Sequence, residues 1–427
     1  MLRFFFCLSA LLWAGAAQAF CGFYVAKADG SLYNQSSKVV FVRDRNRSVI
    51  TMSSDYRGEP RDFAMIVPTP KVLDRDDIRT VKSETVDHLD AYTAPRLVEY
   101  FDRDPCSELV VEAPVVVEEA AGFFGRKRKQ EPVYQRADAL GVRIKGKYAV
   151  GTYDILILDA EQSDGLATFL TNEGYKLPKG AEKVLGDYIQ AGMKFFVAKV
   201  NLERHRSSET QELPPLQIAF KSRNFMLPIQ LGKLNAEAQQ DALFFMLSRK
   251  GRVEVENYRA KSLPTDTRIP VFVEQMFPHF YKSTFARTVG SYGGIVMEYA
   301  WDMQWCDPCA ADPLSSEELQ ELGVSWLKPG DSAAQDVYVT RLHAQYSKNQ
   351  MRQDLMFRET DNRENFQGRY VMNKPFEGNV RCEAGQEYVA KVRQRLRREV
   401  VDLSELTGWD IRTIERNIQK TVPKGYW

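Results

Sequence analysis

Cysteine, histidine and net charge are all scarce in this chain, and each shortage removes a class of function. Six cysteines and four histidines in 427 residues leave little for a zinc cluster. Cys306 and Cys309 have no second Cys-x-x-Cys and no close histidine pair to join, so a metal site would need Cys382 and His343 to meet by folding. Basic and acidic residues number 58 and 57, which gives no field to gather nucleic acid or an anionic membrane. Beyond the N-terminus no apolar run approaches the ~20 residues of a spanning helix. The final Gly425-Tyr426-Trp427 lacks the alternating apolar residues that end an outer-membrane barrel. Neither a G-x-S-x-G elbow, a P-loop, a dinucleotide glycine fingerprint nor an H-E-x-x-H pair occurs. Common hydrolases, ATPases and zincins lose their best support, no cofactor is implied, and a protein or small molecule is the partner class left.

What is present begins with the first nineteen residues. Arg3 is a short positive region, Phe4 to Ala14 an apolar run, and Ala17-Gln18-Ala19 a small-x-small site before Phe20. Residues 1–19 therefore read as a cleavable secretory leader, and the mature chain as a soluble protein exported to the periplasm or the medium. Lipid attachment at Cys21 is disfavoured, because Ala19-Phe20 is not the small pair that it requires.

The remaining 408 residues exceed the size at which single cores stop growing. Val39 to Val42 and Ser48 to Met52 read as a hairpin, and Phe63 to Val67 as a third strand stopped by Pro68 and Pro70. Around Pro95 the residues Leu89, Leu97, Val98 and Phe101 predict a short helix. A charged, aperiodic stretch at 112–138, with Arg126 to Lys129, reads as a solvated linker or insertion. Beyond it, Asp154 to Leu158, a helix from Ser163 to Gly174, a helix from Ala181 to Gln190 and the run Lys194 to Val200 form a strand, helix, helix, strand unit. Leu216 to Phe220 and Phe225 to Leu231 are further strands, and Leu243 to Ser248 with Arg252 to Tyr258 reads as a hairpin about Lys250-Gly251. Phe277, Tyr281, Phe285 and Val289 form a helical stripe closed by Gly290, and Tyr292 to Met303 reads as a long strand. Ser315 and Glu318 make a capping box, and two C-terminal helices carry the stripes Tyr388, Val392, Leu396, Val400 and Ile411, Ile414, Ile418. The fold class is α+β: an N-terminal antiparallel sheet domain at 20–111, the linker, and a larger mixed domain at 139–427 subdivided near 290–300.

Chemistry concentrates in Trp305-Cys306-Asp307-Pro308-Cys309, where two thiols three apart can exchange a disulfide as in thioredoxin. The capping box at Ser315 starts the next helix too late for its dipole to lower a Cys306 pKa, so a structural role for Cys306 and Cys309 is favoured over catalysis. His88, flanked by Asp87 and Asp90, reads as a capping or surface histidine, since chain neighbours rarely point at one spot. His343 alternates with Val339, Arg341 and Gln345 and reads as part of a polar strand face.

Longer strings resemble a known family. Cys21 to Asp29, Val67-Pro68-Thr69-Pro70, His88 to Tyr100, Tyr153 to Ile155, Ser163 to Leu166, Met193 to Val200, Cys306 to Cys309 and Asn365 to Tyr370 are similar to a bacterial family of exported proteins known as domain of unknown function 2330. The resemblance runs through nearly the whole mature chain, departs at Val115 to Gln135, and implies no activity. It implies a shared disulfide framework among Cys21, Cys106, Cys306, Cys309 and Cys382. Position in the chain points to Cys21 with Cys106 and to Cys382 with Cys309 or Cys306, while a local Cys306–Cys309 bridge competes. Three roles are open: a non-catalytic binding or structural protein, a thiol-disulfide oxidoreductase using Cys306 and Cys309, and an enzyme with a site of dispersed Asp, Glu and Tyr residues.

Overall fold

The computed structural model describes residues 23–24, 33–57, 64–107, 140–175, 177–206, 213–235, 239–290, 293–307, 312–328, 330, 334 and 336–427. The leader, Phe20, Cys21, the 112–138 linker and Cys309 lie outside the described residues.

Val39-Val40-Phe41-Val42 is apolar on both faces, as a strand covered on both sides of a sheet must be. It forms the centre of the strand Tyr33–Asp44, which turns through Arg45 at φ 53° and returns as Arg47–Arg57. These two lie inside a nine-stranded sheet. Its path runs Ala260–Ser262, Gly294–Asp302, Tyr338–Tyr346, Gln240–Ser248, Tyr33–Asp44, Arg47–Arg57, Leu216–Lys221 and Ile78–Thr80, with Phe366–Gln367 paired to Gly294–Asp302 off the path. A second sheet of five orders Phe23–Tyr24, Ala64–Thr69, Lys194–Val200, Tyr153–Ala160 and Val142–Val150. The two sheets share one core, in which Val39, Phe41, Phe244 and Met246 of the first meet Met65, Ile155, Ile157 and Phe196 of the second. Helices Ser163–Asn172 and Ala181–Gln190 cover the outer face of the five-stranded sheet through Leu166, Leu170 and Leu185. The far face of the nine-stranded sheet is covered by helices Ser83–Thr93 and Ser316–Leu322. Beside them helix Phe277–Val289 packs with the C-terminal helices Glu383–Thr407 and Ile411–Thr421. The class is α+β.

Three local expectations change. The helix expected around Pro95 is a helix that ends before it, Ser83–Thr93, followed by the strand Arg96–Phe101. Proline disfavours helical backbone in the residue before it, and Ala94 is extended at φ −66°, ψ 145°. The hairpin about Lys250-Gly251 does not pair with itself: Gln240–Ser248 joins the large sheet, while Val253–Val255 pairs with Leu355–Glu359. The helix expected from Ser163 to Gly174 runs Ser163–Asn172, with Gln162 at its N-cap and Glu173 at its C-cap.

Hydrogen bonding also crosses the expected boundary at residue 111. Tyr33–Asp44 pairs in parallel with Gln240–Ser248, Ala64–Thr69 antiparallel with Lys194–Val200, and Arg96–Phe101 in parallel with Arg369–Lys374. The last pairing corrects the cysteine pattern. Arg96–Phe101 and Arg369–Lys374 run parallel in register, Phe101 beside Lys374, so the two chains leave the sheet side by side. Asp102 N–H extends the ladder to the Lys374 carbonyl at 2.9 Å. Cys106 and Cys382, a few residues on, are bonded to each other with Cα atoms 6.0 Å apart. Cys106 is thus not joined to Cys21, and Cys382 is joined to neither Cys306 nor Cys309.

This bond should hold the start of the long C-terminal helix to the end of an N-terminal strand. Non-reducing peptide mapping is expected to recover the Cys106 and Cys382 peptides as one species. Cys382→Ser is expected to cost about 2–4 kcal/mol of unfolding free energy in urea titration. Separate Cys106 and Cys382 peptides would contradict the pairing.

Candidate functional site

Charged side chains within otherwise apolar strands form a buried cluster of ionisable groups. Tyr338–Tyr346 pairs with Gln240–Ser248 on one side and Gly294–Asp302 on the other, and alternation puts Arg341, His343 and Gln345 on one face. Gly294–Asp302 contains a bulge: Met297 opposes Leu342 and Tyr299 opposes Arg341, leaving Glu298 as the extra residue. A bulge re-aims a side chain, and here it turns Glu298, which is 0% exposed, onto the same face as Arg341 and His343.

Glu298 is satisfied on both oxygens. Oε2 accepts from Arg341 Nε at 2.7 Å; Oε1 accepts from His343 Nδ1 at 2.9 Å and from the Tyr281 hydroxyl. His343 Nε2 donates to Asp241 Oδ1 at 3.1 Å, which Gln345 also reaches at 2.9 Å. On the other side Arg341 Nη1 donates to Asp90 Oδ1 at 2.6 Å, and Lys38 Nζ lies 2.9 Å from Asp90 and 2.7 Å from Asp87. Charges alternate along the row Asp87, Lys38, Asp90, Arg341, Glu298, His343, Asp241. Phe285 stacks on the His343 ring with centroids 3.9 Å apart, and Phe245 lies under the Arg341 guanidinium.

The electrostatics follow from this geometry. Burial alone would raise the Glu298 pKa, but His343 and Arg341 outweigh it and hold the carboxyl down to about 2. Burial likewise opposes a charged His343, yet Glu298 and Asp241 raise its pKa to about 9. Burial is outweighed at Asp90 too, where Arg341 and Lys38 lower the pKa. With a carboxylate at each ring nitrogen, His343 is an imidazolium at neutral pH and has no lone pair to accept a proton. The polar strand face expected at His343 is therefore a buried charge network.

The other sequence candidates lie elsewhere. His88 donates no ligand set: its Nδ1 is 2.8 Å from Glu318 Oε1 and its Nε2 2.8 Å from the Asp312 carbonyl, tying two helices together. Cys306 is a free, exposed thiol beside Trp305, which is 64% exposed. Between them and the core stands Asp307, buried, accepting from the Tyr299 hydroxyl at 2.9 Å and from Gln367 Nε2 at 2.5 Å. Asp307 anchors the loop that presents Cys306. Among the described residues no group of three His, Cys, Asp or Glu side chains is placed to hold a metal ion, and no helix is long and apolar enough to cross a membrane.

Glu298, Tyr281 and Asp241 escape a reading of the sequence as candidates. The available signal was Glu298 inside Val296-Met297-Glu298-Tyr299-Ala300, a carboxylate in an otherwise uncharged run at the middle of a strand. Its partners depend on the register of two strands, on a bulge and on a helix packed over them, none of which one sequence reveals.

Removing one partner should leave an uncompensated buried charge, so Glu298→Gln is expected to cost about 3–5 kcal/mol in chemical unfolding. The pH dependence follows from the signs of the two shifts. His343, with its pKa raised, contributes fully below about pH 6.5, and that contribution fades as pH climbs to about 9. Glu298, with its pKa lowered, contributes fully above the ordinary carboxylate range, and its contribution fades as pH falls to about 2. The alkaline decline in melting temperature over that upper window is expected to shrink in His343→Gln; an unchanged decline would contradict the network's role.

Residues 15–358 match the family described as uncharacterized protein conserved in bacteria (DUF2330). The match includes Cys106, every member of the charge network and Cys306, and stops short of Cys382 and the C-terminal helices. No curated protein and no solved structure matches the chain.

Proposed function

We propose that this chain, which belongs to the bacterial DUF2330 family, is exported and works outside the cytoplasm as a non-catalytic binding protein. Export is supported by the leader-like residues 1–19 and by the Cys106–Cys382 bond, a linkage that persists in oxidising compartments.

The observation that carries the non-catalytic reading is where the network's protons sit. General acid-base catalysis works best with a group whose pKa lies near the operating pH. Glu298 at about 2 and His343 at about 9 both lie far from neutrality, and each neutralises the other. The arrangement braces the sheet and leaves recognition to the surface.

A thiol-disulfide oxidoreductase is the second reading, favoured by the free, exposed Cys306 on a loop anchored through Asp307. Turnover of insulin disulfides separates the two. The binding reading expects no acceleration over buffer and no difference between the wild type and Cys306→Ser. Reduction that the wild type catalyses and Cys306→Ser does not would replace it with the redox reading. N-terminal sequencing of the exported form is expected to begin within a residue or two of Phe20, and a cytoplasmic protein retaining Met1 would contradict export.

A further inference from the structure

A cleft of about 250 Å³ opens between Val253–Val255 and Ala260–Ser262 on the sheet face opposite the charge network. Its floor is apolar. Met297 and Leu342 are cross-strand partners and belong, with Val253, to the core shared by the two large sheets. Val255 and Tyr258 are half-buried against that core. The Tyr258 hydroxyl is committed, donating to the Gln353 carbonyl at 3.0 Å and accepting from the Gln353 N–H at 2.8 Å. The ring is thereby fixed and its apolar surface is what the cleft can use. Ser262 pairs in register with Met297, so its hydroxyl stands on the floor's side of the sheet.

The polar groups around this floor are cationic. Glu254 is taken by Arg358 at 2.6 Å, and Lys261 is drawn to the Thr288 carbonyl at 2.6 Å. Arg259 is exposed and has no side-chain partner among the described residues. Arg252 donates from Nη2 to the Glu364 carbonyl at 2.7 Å and also hydrogen-bonds Tyr338, while its Nε is buried with no hydrogen-bond partner. A buried N–H without an acceptor is costly, and a planar carboxylate is the group that guanidinium forks fit best.

We propose that this cleft binds a small organic carboxylate with a flat apolar body, the ring or short hydrocarbon lying on Met297, Leu342 and Val255 and the carboxylate meeting Arg259 and Arg252. The inference rests on the reading of the protein as a binding protein and assigns its ligand class.

Isothermal titration of the mature protein with phenylacetate, and with phenylacetamide as its neutral counterpart, tests the assignment. Phenylacetate is expected to saturate one site, with the amide weaker by about tenfold or more, the scale of a charge-assisted hydrogen bond. Arg259→Ala is expected to weaken phenylacetate by a similar factor. Ser262→Glu, an exposed substitution that sets a like charge in the cleft, is expected to abolish binding while circular dichroism and melting stay unchanged. Acid and amide binding equally, titration unaffected by both variants, or no saturation at all would overturn the proposal. Proton NMR of the recovered ligand keeps the two readings apart: chemically changed phenylacetate would sustain the cleft and sink the non-catalytic role.

Discussion

Glu298 is the residue on which the large sheet depends. A carboxylate with no exposure has a desolvation cost that only well-placed partners offset, and three arrive from two elements: Arg341 and His343 from the neighbouring strand and Tyr281 from helix Phe277–Val289. The bulge that delivers Glu298 fixes the register of Gly294–Asp302 against Tyr338–Tyr346. Since Arg341 continues to Asp90 in helix Ser83–Thr93, and Lys38 to Asp87 and Asp90, the same row positions that helix over the sheet. A slip of one residue would turn each charge into the apolar core on the other face, so the network specifies register more strongly than an apolar layer could.

A second constraint holds the chain ends. Arg369–Lys374 lies between Thr267–Arg268 and Arg96–Phe101 in a small parallel sheet, and the disulfide closes the same corner. Asp102, where the N-terminal strand ends, takes Arg395 Nη2 at 2.7 Å and the Tyr388 hydroxyl at 2.7 Å, both from the long C-terminal helix. Residues beyond the family match are in this way bonded covalently and ionically to residues inside it. Val392, Leu396, Val400, Ile414 and Ile418 share a core with Phe280 and Tyr370, so the stripes that mark the two terminal helices are their buried faces except at Ile411, which is exposed.

Much of the fold is legible in the sequence, for local reasons. The apolar run at Val39 to Val42, the Ser315–Glu318 capping box and the stripes of the terminal helices each report a structure that forms among near neighbours. Illegible features depend on partners far along the chain. His343 alternates with polar residues and so resembles a solvated strand face, yet that face is covered by Phe285 and Tyr281 of a helix some sixty residues away. Cys106 and Cys382 are 276 residues apart, and only the parallel pairing of the strands before them brings them together. Cys306 could be singled out as a thiol in a Cys-x-x-Cys, but the anchoring of its loop by Asp307 depends on Gln367, far downstream.

The buried row carries fixed charges through neutrality, with His343 an imidazolium between two carboxylates. Nitrogen-15 NMR of the imidazole side chains reads this directly, with His343→Gln identifying the resonance among four histidines. Both His343 nitrogens are predicted to stay protonated as pH rises through neutrality, with a midpoint of about 9. A ring that loses a proton near the ordinary histidine value of ~6.5 would contradict the account and make His343 a group able to exchange protons at working pH.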